Sequence, residues 1–342
     1  METTIKDIAR ICGVSVSTVS RAINNHPDIN METKALIMDA IKKYNYIPNN
    51  SARNLKRSES NTIAVLIKGI TNTFYTNMLK VFENEIQKKK YSFFLHRVEE
   101  HQNELDVALE LEKEKKLKGI VFLGGYFYPS GEKLKQIKVP FILSTGGIAD
   151  TVDKKSCSFV MVDDVRESYK MVDYLCQLGH RKIAIISAPP DDISIGKSRL
   201  EGYKEALRDN GIDFDPNLVR YKIDDGIDTF SMKYGYEVMK DLIKTGADFT
   251  AVFAISDSMA VGACKAIFEA GKKVPDDYSV CGFDGLDISF YYEPSITTIR
   301  QPVEEMAEET IRILFDMIEG RIDTESKLFP AELVVGKSTR NI

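Results

Sequence analysis

The sequence predicts an all-α helix-turn-helix headpiece followed by a large α/β body of two lobes, each a parallel, doubly wound sheet. Three observations carry that prediction. Residues 5–24, IKDIARICGVSVSTVSRAIN, have the spacing of two short helices meeting at a tight turn. From Asn61 onward, short apolar runs alternate with amphipathic stretches, the pattern of strands covered on both faces by helices. The alternation then repeats, so two similar halves with a cleft between them are expected.

Thr4 is placed to cap the first helix, with Asp7 three residues on, and Ile5, Ile8, Ala9 and Cys12 fall on one helical face. Gly13 supplies the left-handed residue of the turn. Ser15 can cap the second helix, which turns Val19 and Ile23 inward, with Val14 packed in the turn. Val16, Ser17 and Arg21 then face outward near its start, where a recognition helix meets base edges. A third helix is expected from Met31 to Tyr44 behind an Asn30 cap, ending before Pro48. Residues 49–60 begin NNSARNLKR, short, basic and almost without apolar side chains, so this hinge is expected to order only on a partner. Ala52 and Leu55 would share a face there. An exposed leucine among Arg53, Lys56 and Arg57 suits a wedge into a minor-groove base step.

The formal charge of −5 argues against nucleic acid until its distribution is considered. Residues 1–60 hold nine Lys/Arg against six Asp/Glu, so a basic end precedes an acidic body. Five cysteines, an odd number without C-x-x-C spacing, each lie in apolar surroundings and read as free thiols in a reducing compartment. No apolar run has signal-peptide or membrane-spanning character, and a cytoplasmic location is expected.

In the body, Thr62 to Ile67 opens the first series and a helix from about Phe74 to Lys90 follows. Tyr91 to Arg97, a helix through Leu117, Gly119 to Gly125, a short helix and Pro140 to Thr145 continue it. Ser158 to Asp163 leads into the second series, through Lys182 to Ala188, Leu218 to Ile223, Ala251 to Ser256 and Ser279 to Asp284. The first lobe is expected over about 61–160 and 292–323, the second over about 161–291 and 324–342.

Enzyme chemistry finds no support. The first strand runs into KGITNTF with a single glycine, so no dinucleotide cradle forms, and neither G-x-x-x-x-G-K-[ST] nor G-x-S-x-G occurs. The four histidines, His26, His96, His101 and His180, have no metal-ligand spacing. No cofactor, metal or catalytic residue is expected. Loops at the carboxyl ends of the strands instead bring Phe74 and Tyr75, Arg199, Asp257 and Asp284 toward a cleft. Aromatic faces with one guanidinium and carboxylates suit a polyhydroxylated or heterocyclic ligand.

TVSRAIN, the YNYIPN run and the hinge that follows resemble the headpiece of the lactose/purine repressor (LacI/GalR) family, and the order of segments after residue 60 is similar too. The resemblance implies a periplasmic-binding-protein-like body whose chain crosses between lobes three times, with a final helix, about Pro302 to Glu319, returning to the first lobe. Leu328 to Lys337 would finish in the second. It implies DNA contacts from Thr4, Val16, Ser17, Thr18, Ser20, Arg21 and Asn24, and from the hinge residues Asn49, Ala52, Arg53, Leu55 and Lys56. The family's effector contacts match Phe74, Tyr75, Arg199, Phe230 and Asp284, with Ser256 and Asp257 close behind.

Thr145 stands where lactose-type members carry aspartate and Phe230 where they carry tryptophan, which departs from a lactose-like sugar. Ile193 and Ile195 fill a stretch that is polar in purine-binding members. A carbohydrate or sugar phosphate is therefore the expected effector, with a purine or nucleoside as the alternative and a DNA-independent binding protein or enzyme as the reading from another class. A homodimer on a pseudo-palindromic operator, joined through helices and edges around Phe74 to Lys90 and Leu95 to Leu117, would place two recognition helices on two half-sites. No leucine-heptad tail follows the last strand, so a dimer rather than a tetramer is expected.

Overall fold

The computed structural model describes residues 3–23, 26, 28–44, 46, 61–68, 73–99, 102–127, 131–148, 157–190, 195–222 and 227–342. The hinge, with Asn49, Ala52, Arg53, Leu55 and Lys56, lies outside them, as do Asn24 and Ile193. Contacts divide the chain into two units, 1–60 and 61–342.

The first unit contains α1 (Ile5–Cys12), α2 (Val16–Ile23) and α3 (Met31–Lys43). Each starts where a short polar side chain can take up an otherwise unpaired helical N–H. Thr4 and Asp7 form a reciprocal capping box, Thr4 Oγ1 accepting from Asp7 N and the Asp7 carboxylate from Thr4 N at 3.1 Å. Ser15 Oγ accepts from Thr18 N at 3.2 Å, and Asn30 Oδ1 from Glu32 N at 2.8 Å. Gly13 turns the chain at φ 66°. Ile8, Ala9, Val19, Ala22, Ile37 and Tyr46 are the buried core. Val19 and Ala22 are the fully buried residues of α2, and the expected inward residue Ile23, partly buried, packs against the same core. Tyr46, from the YNYIPN run, closes this core.

The second unit holds two six-stranded sheets. Their strands are β1 (Thr62–Ile67), β2 (Ser92–Arg97), β3 (Gly119–Leu123), β5 (Phe141–Ser144), β7 (Ser158–Val162) and β13 (Ser326–Phe329) in the first, ordered β13-β7-β5-β3-β1-β2 and all parallel. The second has the order β14-β12-β11-β10-β8-β9, from β8 (Ile183–Ile186), β9 (Val219–Arg220), β10 (Ala251–Ala254), β11 (Ser279–Asp284), β12 (Thr297–Arg300) and β14 (Glu332–Val334). Only β14 runs antiparallel there. A small ribbon pairs β4 (Tyr126–Phe127) with β6 (Gly147–Ile148).

Alternation along β1 shows why these apolar runs had to be covered twice. Ile63, Val65 and Ile67 face one hydrophobic cluster, while Ala64 and Leu66 face another built with Leu105, Ala108 and Leu111. The covering helices are α4 (Phe74–Lys88), α5 (Glu104–Lys115), the short α6 (Gly131–Leu134) and α12 (Val303–Ile318) on the first sheet. On the second they are α7 (Asp164–Gln177), α8 (Ile195–Asp209), α9 (Met232–Lys244), α10 (Asp257–Glu269) and the short α11 (Asp287–Tyr291).

Sheet membership corrects the expected lobe boundaries. β7 completes the first sheet instead of opening the second, and β12 pairs with β11 in the second. The Leu328 to Lys337 segment is split, β13 pairing with β7 and β14 with β12. The chain thus passes between sheets after Val162, after Arg300 and after Phe329. An apolar strand signals burial on two faces but not which sheet it joins, so its partner is invisible to local pattern. All five cysteines are free, and four of them are buried.

Candidate functional site

On the headpiece, Val16, Ser17, Ser20 and Arg21 are exposed on α2 and Thr18 is half-buried. Val16 is 42% exposed at the start of that helix, an apolar group with no place in the small core. Ser17 shares its hydroxyl with Ser15 at 2.7 Å, which sets the rotamer of the first turn. Thr4 has its hydroxyl bonded to Asp7 at 2.6 Å, so capping already occupies it. A short helix presenting hydroxyls, a branched apolar side chain and a guanidinium has the chemistry for base edges and thymine methyls.

In the body, one pocket collects Phe74, Tyr75, Thr145, Met161, Val162, Asp164, Ile195, Arg199, Asp284 and Gln301. These residues follow or end the parallel strands at their carboxyl ends, where backbone groups stop pairing and loops diverge. Both lobes contribute. Phe74 and Tyr75 begin α4, edge to face with ring centroids 5.6 Å apart, and Thr145 leaves β5 with φ 53°.

At the centre is Arg199, 1% exposed. Its Nε donates to Asp164 Oδ1 at 2.8 Å, and its Nη1 to the Ile255 carbonyl and, at 3.4 Å, to Asp284 Oδ1. The guanidinium plane covers the Phe283 ring, 3.6 Å from its centroid. Gln301 Nε2 donates to the same Asp284 oxygen at 3.0 Å. Asp164 follows the first passage between sheets and Gln301 the second, so Asp164–Arg199–Asp284–Gln301 is a hydrogen-bonded chain linking two interlobe crossings.

Asp284 itself is strained. Its φ of 113° is a conformation that L side chains rarely adopt, costing on the order of 1–3 kcal/mol. Its neighbours hold it there. Gln301 N donates to the Asp284 carbonyl, Gly285 N to Thr298 Oγ1, and Leu286 N to Asp257 Oδ2 at 2.7 Å. Gly285 turns at φ 75°, where a Cβ would stand 2.6 Å from Arg300. Asp284 Oδ2 is buried without a hydrogen-bond partner. Burial raises its carboxyl to about 6 despite the opposing pull of Arg199. Burial also pushes the Tyr75 phenol up, and the Asp284 charge adds to the effect.

Three expected pocket residues lie elsewhere. Ser256 caps α10 through Met259 N. Asp257 is wholly buried, accepting from Thr298 Oγ1 at 2.6 Å as well as Leu286 N, and burial followed by the Asp284 charge raises it to about 8. It shapes the loop that carries Asp284 rather than the pocket wall. Phe230 is half-buried against the core just before α9, outside the pocket lining. Met161, Val162, Asp164 and Gln301 were not anticipated. The signal for Asp164 was present in SFVMVDD, a strand ending in two carboxylates at a helix start.

The cavity measures about 10 Å³, room for roughly one water. Any sugar-sized ligand therefore requires the lobes or the pocket side chains to part. Among the described residues there is no cluster of three metal-ligating side chains. His180 is committed to structure, its ring nitrogens 2.8 Å from Thr250 Oγ1 and 3.0 Å from Ser279 Oγ, with burial lowering its proton affinity.

A helix-turn-helix reader joined to a two-lobed ligand-binding body defines the class of bacterial ligand-responsive regulators. Residues 4–49 match the lacI family of bacterial regulatory proteins, and 172–339 match the periplasmic binding protein-like domain. The chain is 39% identical to the HTH-type transcriptional regulator MalR of Clostridium butyricum, over 99% of both chains. It therefore belongs to the LacI family. Among solved structures it is similar to a transcriptional regulator CelR–cellobiose complex, with 26% identity, TM-score 0.70 and coverage of 98% of this chain and 100% of that one. The fold is also that of the Lac repressor dimer bound to operator, with 24% identity, TM-score 0.76 and coverage of 99% and 100%. Among the described residues no helix is long and apolar enough to cross a membrane.

Proposed function

We propose that this protein is a transcriptional repressor that binds a pseudo-palindromic operator as a homodimer and is controlled by a carbohydrate held between the lobes. One observation carries the reading. A buried Arg199, fixed by Asp164 and Asp284 on an aromatic face, leaves one carboxylate oxygen unpartnered beneath Phe74 and Tyr75. Vicinal hydroxyls satisfy such an acceptor, and aromatic rings cover the C–H face of a pyranose. The cellobiose held by CelR supports a sugar for this chain too. Ile195 in the pocket wall offers a purine no hydrogen bond, which weighs against the purine alternative.

Coupling follows from the hydrogen-bonded chain. A ligand hydroxyl taken up by Asp284 Oδ2 changes the balance of bonds on Arg199 and Gln301, and through them the segments that cross between lobes. The lobes then rotate, and with them the spacing of the two headpieces. On DNA, Val16, Ser17 and Arg21 read bases. The hinge residues, Leu55 above all, act in the minor groove when two hinges meet.

Selection of duplexes from a random pool by the full chain tests the reading. A two-fold symmetric consensus is expected, its binding weakened by salt and its base preference altered by Arg21→Ala. Failure to enrich any sequence at low ionic strength would remove the DNA-binding function.

A further inference from the structure

The charges around the cleft do not balance. Among the described lining residues Asp164 and Asp284 are acidic, Arg199 is the only base, and the others carry no charge. That base is engaged inside the protein, with Nε on Asp164 and Nη1 on both the Ile255 carbonyl and Asp284. One face of its guanidinium is covered by Phe283. A phosphate needs convergent donors, such as an arginine fork turned outward or a row of free helical N–H groups. Two buried side-chain oxygens of the lining lack a partner: the Oδ2 of Asp284, a charged acceptor in a residue only 3% exposed, and the Thr145 hydroxyl, which can donate one neutral bond but supplies no positive charge.

Resting on the carbohydrate reading above, we infer that the cleft is a charge filter: it accepts uncharged sugars and rejects the phosphorylated forms of those sugars. The physical reason is the site's excess carboxylate in a setting poorly screened by solvent. A neutral polyol donates O–H to Asp284 Oδ2 at no electrostatic cost. A phosphate dianion meets that oxygen and the Asp164 carboxylate with Arg199 already neutralised between them. One net negative charge a few ångströms from a dianion, at the effective dielectric of a protein site, amounts to a discrimination of about tenfold to hundredfold. The regulator would then respond to sugar that has entered without being phosphorylated, or that a phosphatase or glycosidase has released. Sugar phosphates formed by a kinase or by phosphorylating uptake would leave it silent.

Thermal shift and isothermal titration on the full chain, using matched pairs, test this. Suitable pairs are glucose with glucose 6-phosphate, maltose with maltose 6′-phosphate, cellobiose with cellobiose 6-phosphate, and trehalose with trehalose 6-phosphate. At least one neutral sugar is expected to bind, and its phosphate at least about tenfold more weakly. Ile195→Arg, which adds an outward guanidinium to the pocket wall, is expected to narrow or reverse that ratio by strengthening the phosphate's binding relative to that of its neutral partner. A phosphorylated sugar binding more tightly than its neutral partner would overturn the filter and leave the carbohydrate reading standing. Silence from every sugar in both sets would instead contradict the carbohydrate reading, and the filter with it. An unchanged ratio in Ile195→Arg, or a phosphate whose binding weakens as much as that of its neutral partner, would show that charge is not what discriminates.

Discussion

The headpiece and the body solve opposite problems. The headpiece has few apolar residues to bury, with a core made of Ile8, Ala9, Val19, Ala22, Ile37 and Tyr46. Its order leans on local devices, the Thr4–Asp7 capping box, the Ser15 and Asn30 caps and the left-handed Gly13. Val16, Ser17, Ser20 and Arg21 remain exposed on the outside of a single helix. The body has an extended apolar core and turns its functional groups inward, where each must be satisfied by another part of the chain. Surface function can therefore be carried by one element, while cleft function is assembled from at least six separate places along the sequence.

The comparison breaks most severely if Arg199 is replaced. Arg199→Met leaves Asp164 and Asp284 buried without their shared cation, and a loss of about 3–5 kcal/mol is expected. Hydrogen exchange on the full chain should show the loss of protection across the second sheet and leave residues 5–43 as they were. Equal loss in both units would mean that they do not fold independently.

Gly262→Ala comes next. A Cβ there would stand 2.0 Å from the Met232 carbonyl, so α9 and α10 must separate, at a cost of about 1–3 kcal/mol. Its denaturation midpoint should fall for the body alone. Thr4→Ala removes one half of the capping box and should cost about 1 kcal/mol. In so small a core, that loss should lower duplex binding while the melting temperature of the body stays unchanged; an equal drop in the body would argue against the division of labour.

The body's stability also depends on pH. Asp284 and Asp257 hold protons more tightly in the fold, at about 6 and about 8, than an ordinary aspartate at 3.8. As pH falls from 8 toward 6, the folded body takes up protons that the unfolded chain does not. Stability should therefore rise on acidification through that window, by about 5 °C in melting temperature. A falling melting temperature over the same range would mean that both carboxylates are held ionised by their hydrogen bonds.

What could be read in advance differs between the units for the same reason. In the headpiece, caps and outward residues follow from spacing within twenty residues, so Thr4, Ser15, Asn30 and the exposed Val16, Ser17 and Arg21 were all legible. In the body, helices and strands were legible from periodicity, and Phe74, Tyr75, Thr145, Ile195, Arg199 and Asp284 do meet in one pocket. Asp164 and Gln301 escaped because they sit beside interlobe crossings, and their importance depends on which sheet each flanking strand joins. Ser256 and Asp257 misled because a polar pair after a strand can line a cleft or brace the loop beside it; here the Leu286 N–H and Thr298 hydroxyl claim Asp257.

The central claim is that the sugar acts through Asp284 on the affinity of the headpiece for DNA. Affinity of the full chain for its selected duplex, with and without the sugar that stabilises it, compares wild type with Asp284→Asn. Adding sugar to wild type is expected to change that affinity at least tenfold, which is about 1.4 kcal/mol of coupling. The variant is expected to keep its duplex affinity and to give no sugar response. A variant that answers the sugar as wild type does would contradict that claim.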